Sequence, residues 1–200
     1  MARPRTEADA MLHALPAAFT RRQALASGMS AALLHRLAFE GSLDRVGHGL
    51  FLNPQDGLVD LDLVEARLRS PHATLCLTSA LARHGLVDEI PARRDLAVPR
   101  GSHLPALRAP VAWHKYDPAT FEIGRQAEVV ARGLEIGIYD AQRSIVDAFN
   151  PRLGLPREQA IEALRAWLRR RGSQPSSLLR VAGHWPHARA GLTEVLQVLL

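Results

Sequence analysis

Cysteine and lysine are nearly absent from this sequence, each occurring once in 200 residues. The single thiol, Cys76, lies in an apolar run. It can form neither an internal disulfide nor a zinc cage, which points to a reducing compartment and to a small core side chain rather than a nucleophile. The single lysine, Lys115, sits within Ala112-Trp-His-Lys-Tyr-Asp117, and no Glu-x-Lys pair follows a strand carboxylate. That removes the usual metal-and-lysine pattern of a nuclease. No stretch approaches the roughly 18 consecutive apolar residues of a membrane span. Glu7 and Asp9 interrupt the first fifteen residues, so these do not read as a signal peptide. A soluble, cytoplasmic chain is expected.

Other chemistry is missing as well. There is no P-loop and no Gly-x-Gly-x-x-Gly before a helix. Ser79, Ser102 and Ser144 lack the surroundings of a nucleophile elbow. The nine histidines include no pair at zincin spacing, and His184 and His187 flank Trp185-Pro186, read here as a helix break. Neither a metal, a cofactor nor an enzymatic activity is expected.

What is present is arginine. The formal charge is +5 with a pI near 10.5, a balance that favours polyanionic partners. Residues 1–60 carry six arginines and six carboxylates, so the excess lies in the remainder of the chain. Local pattern, not bulk charge, must therefore identify any DNA-reading surface.

That pattern is clearest at the start of the chain. Ala8, Met11, Leu12 and Leu15 share a helical face, and Pro16 closes the segment. Thr20 with Gln23 forms a capping-box signature opening a helix over Arg21–Ser27. Gly28 stops it. Ser30 caps a third helix, Ala31–Glu40, with Leu33, Leu34 and Leu37 turned inward. Leu43–Val46 and Leu50–Leu52, around Gly47-His48-Gly49, read as a β-hairpin. Ala24 and Gly28 provide the small contact and the positive-φ turn that two crossing helices need. The spacing thus predicts a winged helix-turn-helix over residues 1–55. The third helix would lie in the major groove, leaving Ala31, Ala32, His35 and Arg36 outward. Ser30 at the helix start suits a phosphate. Arg21 and Arg22 suit backbone contact, as do the arm residues Arg3 and Arg5. Arg45 and His48 fall on the wing. The DNA-binding set is therefore Arg21, Arg22, Ser30, Ala32, His35, Arg36, Arg45 and His48. The same elements also build small protein-interaction modules, a reading that pattern alone leaves open.

Asn53–Gly57 reads as a linker to a second domain over residues 58–200. Helices are expected near Asp60–Arg69, Ser79–His84 (capped by Thr78), Ala141–Phe149 (capped by Asp140), after Pro156, after Pro175 and over Leu192–Leu200. Strands are expected near Thr74–Leu77, Asp95–Val98 and Val111–His114, with a hairpin around Gly133. The predicted fold class is α+β: an N-terminal winged helix-turn-helix followed by a mixed α/β domain. Arg143 and Asp147 are four apart on one helix, and an ion pair anchoring the helix is the favoured reading over a partner-contact site. Arg165, Arg169, Arg170 and Arg171 cluster at a helix end. They either complement the helix dipole from a solvated face or form a second polyanion surface.

In order along the chain, Phe19-Thr-Arg-Arg-Gln-Ala-Leu-Ala-Ser-Gly28, Leu33–Leu37, Gly41-x-Leu43 and Arg45-Val-Gly-His-Gly-Leu-Phe51 resemble the winged helix of the AbiEi antitoxins of type IV toxin–antitoxin and abortive-infection systems. Leu77-Thr-Ser-Ala-Leu-Ala-Arg-His-Gly-Leu86, Leu96-Ala-Val-Pro-Arg100 and Ile138-Tyr-Asp-Ala-Gln-Arg-Ser-Ile-Val-Asp147 resemble that family's later motifs, with Ser144 where the family has threonine. The resemblance implies a DNA-binding antitoxin that represses its own operon and counteracts a nucleotidyltransferase-like toxin. The family's wing tips are often more basic than Gly47-His48. The alternative is a solitary winged-helix regulator with a ligand- or protein-sensing second domain. In either case the expected partner is double-stranded promoter DNA, bound by a dimer or by cooperating monomers on paired half-sites.

Overall fold

The computed structural model describes residues 3–54, 59–89 and 91–200, with side chains from residue 8 onward. The arm side chains Arg3 and Arg5, and most of the expected linker, lie outside the described residues. The chain divides into two compact units. The first comprises Met1–Pro71, Pro105–Arg108 and Glu128–Ile136, and the second comprises His72–Leu104, Ala109–Ala127 and Gly137–Leu200. The first of these includes the further helix Leu61–Arg69.

The first unit is a winged helix-turn-helix. Its elements are α1 (Arg3–Ala14), β1 (Ala18–Thr20), α2 (Arg21–Ala26), α3 (Ala31–Phe39), β2 (Asp44–Gly47), β3 (Leu50–Leu52) and α4 (Leu61–Arg69). The capping box forms as its residues dictate: the Gln23 amide donates to Thr20 Oγ1 at 3.2 Å, and the Thr20 amide donates to Gln23 Oε1 at 2.8 Å. Two backbone donors at the start of α2 are thereby satisfied. Gly28, at φ +93°, turns the chain out of α2, and the Met29 amide donates to the Ala24 carbonyl at 3.1 Å. Only glycine enters that backbone region without strain. Ser30 then caps α3, its hydroxyl accepting from the Leu33 amide at 3.1 Å. Leu12, Leu15, Phe19, Ala24, Met29, Leu34, Leu37, Leu43 and Phe51 close one apolar core.

One strand was not anticipated. β1 pairs antiparallel with β3, which in turn pairs antiparallel with β2, giving the sheet order β1-β3-β2. Phe19 and Phe51 face each other across the β1–β3 pair with ring centroids 6.0 Å apart. Asp60 caps α4 by accepting from the Leu63 amide at 3.2 Å. The buried Glu65 on α4 accepts from Arg69 at 2.8 Å and from the Arg108 amide at 3.1 Å.

The second unit holds β4, β5, β6 and the ends of β7 and β8 of a five-stranded mixed sheet of order β6-β5-β4-β8-β7, whose residues 128–136 are counted in the first unit. The strands of this sheet are β4 (Thr74–Leu75), β5 (Arg94–Pro99), β6 (Val111–Tyr116), β7 (Arg125–Ala131) and β8 (Leu134–Tyr139). β4 runs antiparallel to β5 and parallel to β8, and β5 runs parallel to β6. Helices α5 (Leu77–Arg83), α6 (Ala141–Ala148), α7 (Arg157–Leu168), α8 (Pro175–Ala182) and α9 (Pro186–Leu199) share an apolar core through Leu81, Ile145, Leu164, Trp167, Leu178 and Leu192. Asp140 caps α6 as expected, accepting from the Arg143 amide at 2.7 Å. Gly137 is required where it stands, because a Cβ there would lie 2.4 Å from Thr74 Oγ1 and 2.7 Å from Arg125 Nε. Those two atoms are themselves hydrogen-bonded at 2.8 Å.

Two local expectations fail for physical reasons. Thr78 does not cap α5; the helix begins at Leu77, two residues before the expected Ser79, and the Thr78 hydroxyl donates to Gln159 on α7. The N-cap position belongs to Cys76, whose side chain makes no capping bond, and the buried Leu77 carries a φ of 47°. Pro186 opens α9 rather than disrupting a helix. A proline at the first helical position gives up an amide that would have had no intrahelical partner.

Candidate nucleic-acid interface

Along α3 the 3.6-residue period sorts the side chains. Leu34 and Leu37 are buried, fixing the helix to the core, while Ala31, Ala32, His35, Arg36 and Phe39 form an exposed ridge. A groove runs along each flank of this ridge. The first is lined by Arg21 at the start of α2, by His35 and Phe39 on α3, by Arg45 on β2 and by His48 and Gly49 in the wing turn. The second is lined by Ser30, Ala32 and Arg36 with Ala8, Met11 and Gly28. Arg22 is exposed and lines neither.

The backbone holds the first groove in place. The Arg21 amide donates to the Gly49 carbonyl at 2.8 Å, tying the wing turn to the start of α2. The β2–β3 register shifts between Arg45 and Gly47, a bulge in the outer strand. Beyond it, Arg108 Nη1 donates to the Val46 carbonyl at 2.5 Å. Among the described residues, the side chains of Arg21, Arg22, His35, Arg36, Arg45 and His48 make no hydrogen bond or ion pair. They are exposed cations and imidazoles with their donors free, the condition for binding a phosphodiester backbone.

Residues 17–54 match the family model described as "Transcriptional regulator, AbiEi antitoxin". Over this winged-helix segment, about a fifth of the chain, the protein is similar to the AbiEi antitoxin family. The whole fold is similar to the crystal structure of the RV2827C protein from Mycobacterium tuberculosis, with a TM-score of 0.54 and 15% identity over 95% of this chain and 74% of that one. No curated protein matches the chain.

Sequence reasoning missed one member of this candidate interface. Phe39 is 87% exposed at the end of the ridge and lines the first groove. Its signal was available, since it lies four residues past His35 and so on the same helical stripe. Phenylalanine is most often a core residue, which masks that signal.

The other arginine cluster is divided in its use. Arg165, Arg169, Arg170 and Arg171 are all exposed around the end of α7. Arg170 donates to the carbonyls of His84 and, at 3.1 Å, Gly85, where α5 ends. The other three side chains make no hydrogen bond or ion pair among the described residues. No group of three or more His, Cys, Asp or Glu that could hold a metal occurs among the described residues, and none of their helices is long and apolar enough to cross a membrane. Cys76 is fully buried, and burial pushes its thiol well above the ordinary range, which leaves it protonated and unreactive.

Arg143 and Asp147 are a buried pair, each 1% exposed. Arg143 Nε donates to Asp147 Oδ1 at 2.9 Å, and Nη1 donates to the carbonyls of Thr120 (2.9 Å) and Ile123 (2.7 Å). Its guanidinium lies between Trp185 and Tyr139, 4.0 and 4.3 Å from their ring centroids. The Tyr116 hydroxyl donates to Asp147 Oδ2 at 3.1 Å. Burial raises the Asp147 carboxyl to about 6, and Arg143 and Tyr116 keep it from rising further. The pair anchors α6 to the loop that precedes β7.

Proposed function

We propose that the chain is a DNA-binding antitoxin that represses its own operon, with the α3 ridge lying in the major groove of promoter DNA. The observation that carries this reading is the free, convergent set of Arg21, His35, Arg45 and His48 along one flank of an exposed helix. In this arrangement the ridge enters the groove, Arg36 pairs with a guanine edge, and His35 contacts a neighbouring base. The flanking grooves receive the two phosphate backbones: Arg21, Arg45 and His48 on one side, and the Ser30 end of α3 on the other. Arg22 adds a further phosphate contact. Few cations are involved, so a dimer or cooperating monomers on paired half-sites supply the rest of the affinity. The second unit then counteracts a nucleotidyltransferase-like toxin, for which the free cations Arg165, Arg169 and Arg171 provide an acidic-partner surface. The protein works in the cytoplasm and catalyses no reaction.

The test is a gel-shift titration of the full chain against its own upstream DNA over a salt series. Binding should fall steeply with salt. Arg36→Ala should weaken binding to the specific site more than to unrelated duplex. Failure to bind that DNA at low salt would remove the regulatory reading. A second reading, a solitary regulator whose second unit takes a small ligand, is favoured by one observation: that unit contains a cation-lined cleft.

A further inference from the structure

The cleft lies wholly within the second unit and encloses about 420 Å³, within the range of small-molecule sites. Four cationic side chains from different parts of the chain line it: Arg100 just after β5, Lys115 on β6, Arg143 on α6 and Arg152 in the short 3-10 turn Pro151–Leu153. Two carboxylates also line it. Asp147 is already paired with Arg143, and Asp117 accepts from the Ala119 amide of its own turn at 2.9 Å. The side chains of Arg100, Lys115 and Arg152 make no hydrogen bond or ion pair among the described residues.

The floor of the cleft supplies an independent observation. Arg143 is 1% exposed and commits Nε and Nη1 to Asp147, Thr120 and Ile123. Its Nη2 has no partner among the described residues. Yet no fully enclosed side-chain nitrogen or oxygen there lacks one. Nη2 therefore opens onto the cleft that Arg143 lines. A guanidinium nitrogen held rigidly by two aromatic faces and three acceptors, with donors left over at the bottom of a basic cleft, is set up to receive an oxyanion. Pro186 and His187, the first residues of the fourteen-residue α9, also line the cleft and add the positive end of that helix.

From this arrangement we propose that the cleft binds a phosphate-bearing small molecule of nucleotide size, its terminal phosphate on Arg143 Nη2 and its remaining charge against Lys115, Arg152 and Arg100. Four separated cations suit a ligand with more than one anionic group, and the volume exceeds what a bare phosphate fills. The inference does not depend on the winged helix binding DNA.

Isothermal titration calorimetry on the full chain, without DNA, tests it with ADP, adenosine and inorganic phosphate as probes. ADP should bind saturably and more tightly than either of the others. Lys115→Ala combined with Arg152→Ala should lower ADP affinity about tenfold or more, the loss expected when charge-assisted contacts are removed. Both side chains are exposed, so the double variant should keep the parent melting temperature, which thermal unfolding checks. The proposal is overturned by any of three results: no binding of ADP, equal affinity for ADP and adenosine, or unchanged ADP affinity in the double variant. Loss of ADP binding in Arg36→Ala or Arg45→Ala instead would place the phosphate on the winged helix and also overturn it, while leaving the DNA reading to its own gel-shift test.

Discussion

In the first unit Arg21, Arg36 and Arg45 stand exposed, their donors unused among the described residues. In the second, Arg143 is 1% exposed, bonded to a carboxylate and two carbonyls and stacked between rings. The same side chain thus has two physical roles. On α3 an arginine can be replaced with little consequence for the fold, because nothing in the core relies on it. On α6 it replaces missing packing and backbone bonds at once, and its removal leaves a carboxylate buried without a counter-charge.

The largest expected effect therefore lies in the second unit. Arg143→Ala should destabilise the chain by about 3–5 kcal/mol, the usual consequence of breaking a buried ion pair, measured by denaturant unfolding. Gly137→Ala should follow at about 1–3 kcal/mol, since its Cβ would meet Thr74 and Arg125 inside a packed site; a melting temperature equal to that of the parent would show that this contact can relax. In the first unit the sign of the comparison reverses. Arg36→Ala should change unfolding stability by less than about 0.5 kcal/mol yet weaken binding to the specific DNA site by about 1–3 kcal/mol. If it destabilised the fold as much as Arg143→Ala, the contrast between the units would disappear. Thr20→Ala, which removes one half of the capping box, should cost about 1 kcal/mol and should leave the DNA site preference unchanged.

Acid sharpens the same contrast. The Asp147 carboxyl titrates at about 6 in the folded chain against 3.8 when free. Between those values the folded state holds the extra proton, so this group's contribution to stability falls as pH rises from about 4 to 6 and is level above that. Asp147→Asn should abolish that component. Subtracting its pH–stability curve from the parent's should leave a descending step in the window, and a flat or rising difference would show that the carboxyl is not raised.

Much of the first unit was legible because its signals are local. Thr20 with Gln23, Gly28 and Ser30 each act within one helical turn, and each does in the structure what its side chain can do. β1 was not legible because Ala18–Thr20 is too short to show alternation, and its partner β3 is thirty residues away in sequence. The start of α5 was misread for a related reason, Cys76 and Leu77 having been placed in the preceding strand. The helix start is set by the strand that precedes it, not by the nearest capping residue, so Thr78 was free to bond to Gln159. The grooves beside α3 needed the wing's position and could not be read from the helix alone. The cleft of the second unit was wholly hidden, because Arg100, Lys115, Arg143 and Arg152 are brought together only by the sheet and its turns.

The brace on the wing has a consequence for assembly. β2 is an outer strand of its sheet, and outer strands invite a second chain to continue the ladder. Here the bulge between Arg45 and Gly47 breaks the strand's regular spacing, and the Arg108 guanidinium already occupies the Val46 carbonyl. A neighbouring molecule therefore finds no continuous row of peptide groups to zip onto along β2. Two copies sitting side by side on adjacent half-sites would keep separate wings, free to follow the twist of the duplex independently.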